Sequence, residues 1–455
     1  MTAAKLFREL FSKGNLTKTY VEHISMTGAV GIDRIRPSAF NARLDVEIDV
    51  VVRKINSGCY VFTSFKEKLI SKGAGKLPRV ISIPTVRDRI VLRALCDLLS
   101  RTFHQMKLEI PQIKVDLLCK ALATGTYDEF VKIDVESFYP SIQHNRLLKV
   151  IRRKIRKPEI LAIINRAVAT PTTSGAAGHK VKKNFTGVPQ GLAISNILAE
   201  IYLVDFDKEM AKEPGVFYQR YVDDILILCP AGRAESLATQ ATASLKNLGL
   251  KAHPVGEEKS KSKIGMLHDE FEYLGYKITG PKVSVRKSSI YKFETAIARI
   301  LTAYRYKLLQ AKVPAEANRA REICEWRLNL RITGCIYQDK RLGWVFYFSQ
   351  INDTSALRAL DNTVAELVDR FGLKHKIRVK RLLKAYYEAS RKNKMTHRYI
   401  INFDQMSVVQ KREVLMRYLG FKDIAHLSDE VIIRFFDMRI AAIVKELEED
   451  LAAVS

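Results

Sequence analysis

Paired cysteines, long apolar runs and internal repeats are all missing from this chain. Its six cysteines (Cys59, Cys96, Cys119, Cys229, Cys324 and Cys335) are far apart and form no C-x-x-C pair. That excludes a disulfide framework and a zinc knuckle, and points to free thiols in a reducing compartment. No secretory apolar segment follows Met1, and no stretch is long enough to span a bilayer. No low-complexity linker separates parts of the chain, so the regions are expected to pack against one another. A soluble, cytoplasmic protein with no membrane partner is the expectation. Acidic residues are also scarce. Only 49 Asp and Glu stand against 76 Lys and Arg, a net charge of +27 over 455 residues. A surplus of that size favours a polyanionic partner, nucleic acid above all.

The patterning divides the chain. In the first hundred residues, Leu44 to Ile55 and Asp88 to Leu99 have helical periodicity. Between them, Ser71–Lys76 is a flexible basic loop leading into a short strand, Val80–Ile83, stopped by Pro84. That loop lacks the glycine-to-lysine spacing and the following Ser or Thr of a phosphate-binding loop. Residues 130–135 read as a strand, 143–170 as helical and 171–186 as a loop. Gly187–Gly191 reads as a turn opening a long helix from Leu192 to about Ala211. Helices dominate after residue 281, and between 281 and 400 basic residues outnumber acidic ones by about 16.

The most informative run is Phe217 to Leu228, apolar or aromatic on both sides of Asp223-Asp224. Two buried strands joined by an Asp-Asp turn would explain it, since Asp tolerates unusual turn geometry. Two adjacent like charges repel, so a divalent cation is a second reading. Asp134, at the end of the strand beginning at Phe130, adds a third carboxylate. One strand-end acid and an acidic hairpin can hold two cations about 3.5–4 Å apart, the arrangement used for in-line phosphoryl transfer.

With these residues in hand, the chain resembles the bacterial reverse transcriptases of the group II intron, retron and defence-associated lineages. The similarity is carried by Lys76–Pro84 with Asp88-Arg89-Ile90-Val91, by Asp134–Ile142, by Gly187–Asn196 and by Tyr221–Asp224. Glu258–Lys261 and Tyr273–Tyr276 complete the set. The resemblance implies an α+β right-hand polymerase fold with fingers, a palm built on an antiparallel sheet, a helical thumb and an α-helical C-terminal region. The regions would be fingers at 1–105, palm at 106–280, thumb at 281–373 and a basic extension at 374–455. It implies an RNA-directed DNA polymerase that takes an RNA template and dNTPs, makes DNA and uses two Mg²⁺ ions, or Mn²⁺ in their place.

Site roles follow from the same resemblance. Asp134 and Asp223 would bind metal, and Asp224 would support or join them. Lys259 would protonate pyrophosphate, with Lys261 and Lys263 as competitors. Lys76 and Arg79 would clamp the triphosphate, although a solvated lysine explains Lys76 equally well. Gln190 and Gly191 would contact template and nucleotide. Tyr139, five residues after Asp134, would lie under the sugar and leave no room for a 2′-hydroxyl; plain aromatic packing is its alternative. Tyr273 and Gly275 would belong to a primer grip or to an ordinary core hairpin.

Past Tyr276 the similarity fades. No RNase H acid cluster, His/Cys-rich endonuclease segment or retron hallmark is present. The aromatic cluster Trp344–Phe348 reads as core. The stretch from Lys374 to Arg398, including Lys376, Arg378, Lys380, Arg381, Lys392, Lys394 and Arg398 with Tyr386 and Tyr387 interleaved, reads as a nucleic-acid-binding helix or as a solvated one. A polymerase core with only a helical tail is similar to defence-associated, abortive-infection-like reverse transcriptases. That similarity implies copying of a dedicated noncoding RNA, with oligomers or a protein partner, in antiphage defence. An intron-encoded splicing protein and a non-catalytic RNA-binding scaffold are the competing readings.

Overall fold

The computed structural model describes residues 2–71, 73, 77–106, 109–174, 183–257, 260–391, 399–421 and 423–452. The chain forms two compact units: Met1–Glu109 with Tyr127–Gly265, and Ile110–Thr126 with Met266–Ser455.

The first unit is organised by a mainly apolar antiparallel sheet. Strands β1 (Phe65–Ile70) and β2 (Arg79–Ile83) pair as a ribbon. The central sheet contains β3 (Glu129–Glu136). The two-residue β4 (Thr172–Thr173) pairs in parallel with β1. Strands β5 (Phe217–Tyr221) and β6 (Asp224–Cys229) form the hairpin, and β7 (Lys251–Ala252) closes the order β5-β6-β3-β7; β8 (Lys263–Met266) also pairs with β3. Every residue of β6 after Asp224 is buried. Along β3 the apolar Val131, Ile133 and Val135 are buried, while Lys132, Asp134 and Glu136 alternate with them on the more open face. That alternation puts charge on one face of a sheet whose other face is core.

Helices cover the buried face. The helix Val86–Thr102 is capped by Thr85, whose hydroxyl accepts from the Asp88 amide. Asp88 is itself buried and accepts from the Tyr60 hydroxyl at 2.7 Å, the Thr85 hydroxyl at 2.8 Å and the Thr63 amide at 3.1 Å. Burial pushes its carboxyl above the usual range despite these bonds. The helical region 143–170 is two helices, His144–Arg152 and Pro158–Ala169, divided where Pro158 starts the second. The long helix expected from Leu192 is also two, Ser195–Tyr202 and Val204–Met210, interrupted at Leu203. At its start the Ser195 hydroxyl donates back to the Pro189 carbonyl at 2.6 Å.

In the second unit, β9 (Glu270–Tyr273), β10 (Tyr276–Thr279) and β11 (Lys282–Val285) form a meander. Its first turn is Leu274-Gly275, with both residues at positive φ. Long helices follow, Lys287–Gln310, Pro314–Thr333 and Ser355–Arg370. Besides β11, the helical expectation misses a small sheet of β12 (Cys335–Tyr337), β13 (Lys340–Leu342) and β14 (Ile401–Asn402). Strands of two or three residues are too short to display a period. Trp344, Val345, Phe346 and Phe348 are buried, as their composition suggests. The last helix, Asp429–Ala452, packs Ile432, Phe436 and Ile440 into a second core. Buried Arg331 donates to its Glu446 and Leu447 carbonyls at 3.2 and 3.4 Å. All six cysteines are free. Among the described residues no helix is long and apolar enough to cross a membrane.

Candidate active site

The three acids meet because of strand register. Asp134 stands opposite Asp224 on the β3–β6 pair, and Tyr221 pairs with Asp224 on β5–β6. The hairpin loop is therefore Val222-Asp223. The unusual backbone falls on Val222, at φ 57, and on neither aspartate. A single positive φ at the first central position is the pattern of a II′ turn. The expectation that Asp supplies the turn geometry is corrected accordingly. A β-branched residue bears it, at a cost in strain.

Asp223 carries the electrostatic signature of the site. Burial, then the neighbouring Asp224 and Asp134 carboxylates, push its carboxyl up to about 6. Two lysines and a histidine surround the group. Lys261 Nζ lies 3.2 Å from Asp134 Oδ1, and His253 Nε2 lies 3.3 Å from the same oxygen. Lys132 Nζ lies 3.5 Å from Asp224 Oδ1. Among the described residues no cluster of three or more His, Cys, Asp or Glu side chains is already in metal-holding geometry. The donor set nevertheless suits a hard divalent cation: three carboxylates, one of them disfavoured as a bare anion by burial and by its two neighbours.

Tyr139 borders the acids. Strand β3 ends at Glu136, and Ser137, left-handed at φ 46, turns the chain into the short helix Phe138–Ser141 that carries Tyr139. The Tyr139 hydroxyl donates to Asn196 Oδ1 at 2.8 Å. Burial, then the charges of Asp223 and Glu200, push its phenol up, while Arg79 pulls the other way. Arg79, on β2, is thus within electrostatic reach of the tyrosine beside the acids.

The turn 187–191 is wedged between these pieces. The Val188 amide donates to the Tyr139 carbonyl at 2.8 Å, and the Ser82 amide to the Gln190 carbonyl at 2.7 Å. Gly191, at φ +96, lies so close to β2 that a Cβ there would come within 2.7 Å of Ile81 Cγ2. Only glycine allows both that φ and that approach.

Other expected residues lie elsewhere. Lys76, Lys259, Lys392, Lys394 and Arg398 are outside the described residues. Lys261, a competitor for the role of Lys259, is the described lysine on Asp134; Lys263 sits 5.9 Å from the Phe130 ring centroid. Tyr273 and Tyr276 are fully buried, and the Tyr276 hydroxyl donates to the Tyr347 carbonyl. Gly275 is the second turn residue between them, so in the second unit this hairpin is core. The basic stretch is not one helix. Lys376, Arg378, Lys380 and Arg381 precede Leu382–Ser390 in irregular structure. Lys380 is half-buried, donating to the Tyr399 carbonyl at 2.6 Å, so it builds structure. Lys376, Arg378 and Arg381 are exposed.

Three site residues escape sequence reading: His253, Lys132 and Arg220. Lys132 could be found from alternation along β3. Arg220 could be suspected as a charge inside an apolar strand, which requires buried partners. His253 gives no signal, because it reaches Asp134 through the pairing of β7 with β3.

An antiparallel sheet with one acid at a strand end, two more at the adjoining hairpin and a tyrosine alongside is the arrangement that the resemblance to reverse transcriptases implies. Residues 70–278 match the family described as reverse transcriptase (RNA-dependent DNA polymerase). The chain therefore carries a reverse transcriptase domain, the module of RNA-directed DNA polymerases, in the α+β polymerase fold expected from its sequence. It is similar to protein YkfC of Escherichia coli, at 24% identity over 57% of this chain and 77% of that protein. It is also similar to the group II intron-encoded protein LtrA of Lactococcus lactis, at 24% identity over 36% of this chain but only 28% of LtrA. Among solved structures, telomerase from Candida albicans in complex with a telomeric RNA fragment overlaps it loosely. That overlap covers 88% of this chain and 69% of the other, at 13% identity and a TM-score of 0.42.

Proposed function

We propose that this protein synthesises DNA on an RNA template at the Asp134, Asp223 and Asp224 site, and that it does so in bacterial antiphage defence with a dedicated noncoding RNA as template. The observation that carries the polymerase reading is the register placing Asp134 opposite Asp224, with Asp223 pushed up to about 6 by burial and then by those two carboxylates. Asp134 and Asp223 would hold two divalent cations, Mg²⁺ or Mn²⁺, with Asp224 in support. Bound there, such ions lower the pKa of an attacking hydroxyl and neutralise charge on a leaving pyrophosphate. The protein's own residues do the rest. Tyr139, fixed by Asn196, excludes a 2′-hydroxyl. Arg79 meets phosphate, with Lys76 as a second candidate. Gln190 and Gly191 face the templating base. Lys261, already on Asp134, is a stronger candidate than Lys259 for handing a proton to pyrophosphate. Fingers at 1–105, palm at 106–280, thumb at 281–373 and a basic extension at 374–455 remain the functional partition we favour. A cytoplasmic location and an oligomer or protein partner belong to the same reading.

What supports the defence role is the pairing of the matched polymerase region with a mainly helical region after it. The similarity to LtrA favours a second reading, an intron-type protein that binds and helps to splice RNA. The test is to purify the full chain, supply a primed RNA, dNTPs and Mg²⁺, and sequence the nucleic acid that copurifies. Template-dependent DNA synthesis with one short structured RNA supports the proposal. Copurified intron RNA favours the second reading, and RNA binding with no synthesis leaves the scaffold.

A further inference from the structure

Beneath the acidic turn lies Arg220, with only 3% of its side chain exposed. A guanidinium has five N–H donors, and here every one is engaged. Nε donates to Asp207 Oδ1 at 2.7 Å and Nη2 to Asp207 Oδ2 at 2.6 Å. Nη1 donates to Glu200 Oε1 at 3.0 Å and Nη2 to Glu200 Oε2 at 2.8 Å. The remaining Nη1 hydrogen goes to the Val222 carbonyl at 2.8 Å. Asp207 also accepts from the Tyr218 hydroxyl at 2.6 Å. Arg220 thus ties the hairpin to two helices, Ser195–Tyr202 through Glu200 and Val204–Met210 through Asp207.

What it holds is the strained residue. Val222 is left-handed at φ 57, a conformation that a β-branched side chain strongly disfavours. The direction of its carbonyl is part of that conformation, and the Arg220 bond fixes that direction. Asp223 and Asp224 come next in the chain. We propose that Arg220 is a positioning residue: by clamping the Val222 carbonyl it keeps the turn in the form that presents Asp223 and Asp224 to a divalent cation. The inference rests on the metal-dependent polymerase reading above. Lysine cannot replace it, because an ammonium has three donors and no fork.

Glycine at 222 would adopt the same backbone without strain, so the clamp should matter less there. The test compares wild type, Arg220→Lys, Arg220→Gln, Val222→Gly and both combined variants as full chains. Mn²⁺ affinity is read from the paramagnetic resonance signal of free Mn²⁺, and folding from thermal melts. Partners that orient metal ligands typically contribute about 10–100-fold to metal affinity. Arg220→Lys and Arg220→Gln should therefore weaken Mn²⁺ binding by about tenfold or more with valine at 222. With glycine there, the loss should shrink to roughly threefold, a coupling that a double-mutant cycle isolates. If Arg220→Gln does not fold, the Arg220→Lys pair decides. Unchanged Mn²⁺ affinity in folded Arg220→Lys, or equal losses in the two backgrounds, overturns the proposal. Wild type that binds Mn²⁺ yet extends no primed RNA would instead sink the polymerase reading, leaving the positioning role to stand on the Mn²⁺ ratios.

Discussion

The two units handle charge in opposite ways. In the first, charged groups are drawn into the sheet: Arg220 with Glu200 and Asp207, and the Asp134, Asp223 and Asp224 group with Lys132 and Lys261. In the second, buried Arg331 apart, Lys376, Arg378 and Arg381 lie outside, while aromatics such as Tyr273, Tyr276 and Phe348 fill the interior. Buried charge needs fixed partners, because removing one leaves the other desolvated and unpaired. Exposed charge needs none and is screened by salt. The first unit is therefore built to place groups at set positions, and the second to carry a diffuse field.

The sharpest way to break the contrast is Asp223→Ala, which should lower dNTP incorporation by about a thousandfold or more in a primer-extension assay while RNA retention on a filter changes little. Next, Tyr139→Ala should reduce discrimination against ribonucleotides by about tenfold to a hundredfold, read as the ratio of kcat/KM values for dNTP and rNTP.

A smaller effect is thermodynamic. The Asp223 carboxyl rises from an ordinary 3.8 to about 6 on folding. A raised carboxyl contributes stability that is fully present below about 3.8 and is lost as pH rises through about 6. At pH values above that window the ionised group opposes the metal-free fold by up to roughly 3 kcal/mol. Asp223→Asn should accordingly melt higher than wild type in chelator at about pH 7.5, and the advantage should fade towards pH 4. The smallest effect belongs to the second unit. Replacing Lys376, Arg378 and Arg381 with alanine should lower the slope of log affinity against log salt by about 2 for single-stranded RNA, with no change in melting temperature. Adding Lys380→Ala should lower the melting temperature as well, since that lysine holds the Tyr399 carbonyl.

The same contrast explains what could be read in advance. The acids were legible because buried strands frame them: the apolar run on either side of Asp223-Asp224 and the alternation that isolates Asp134 are local patterns. The strain on Val222 was not legible, because a turn's dihedrals depend on where Arg220 finds its acceptors. Glu200 and Asp207 give no local signal, and the break at Leu203 between their two helices has no glycine or proline to mark it. In the second unit the run from Lys374 suggested a helix by composition alone. Its first half is held instead by side-chain bonds to Asn329 and Tyr399, which no local pattern reveals.

The close approach at Gly191 has a consequence for motion. With the Ser82 amide on the Gln190 carbonyl and no room for even a methyl group between β2 and the turn, the two cannot slide past each other. Arg79, three residues from Ser82 on the same strand, is carried on the same lever as Gln190. A displacement that brings the basic ribbon towards the acids must therefore bring the turn with it. Phosphate capture and inspection of the templating base would then be one movement rather than two.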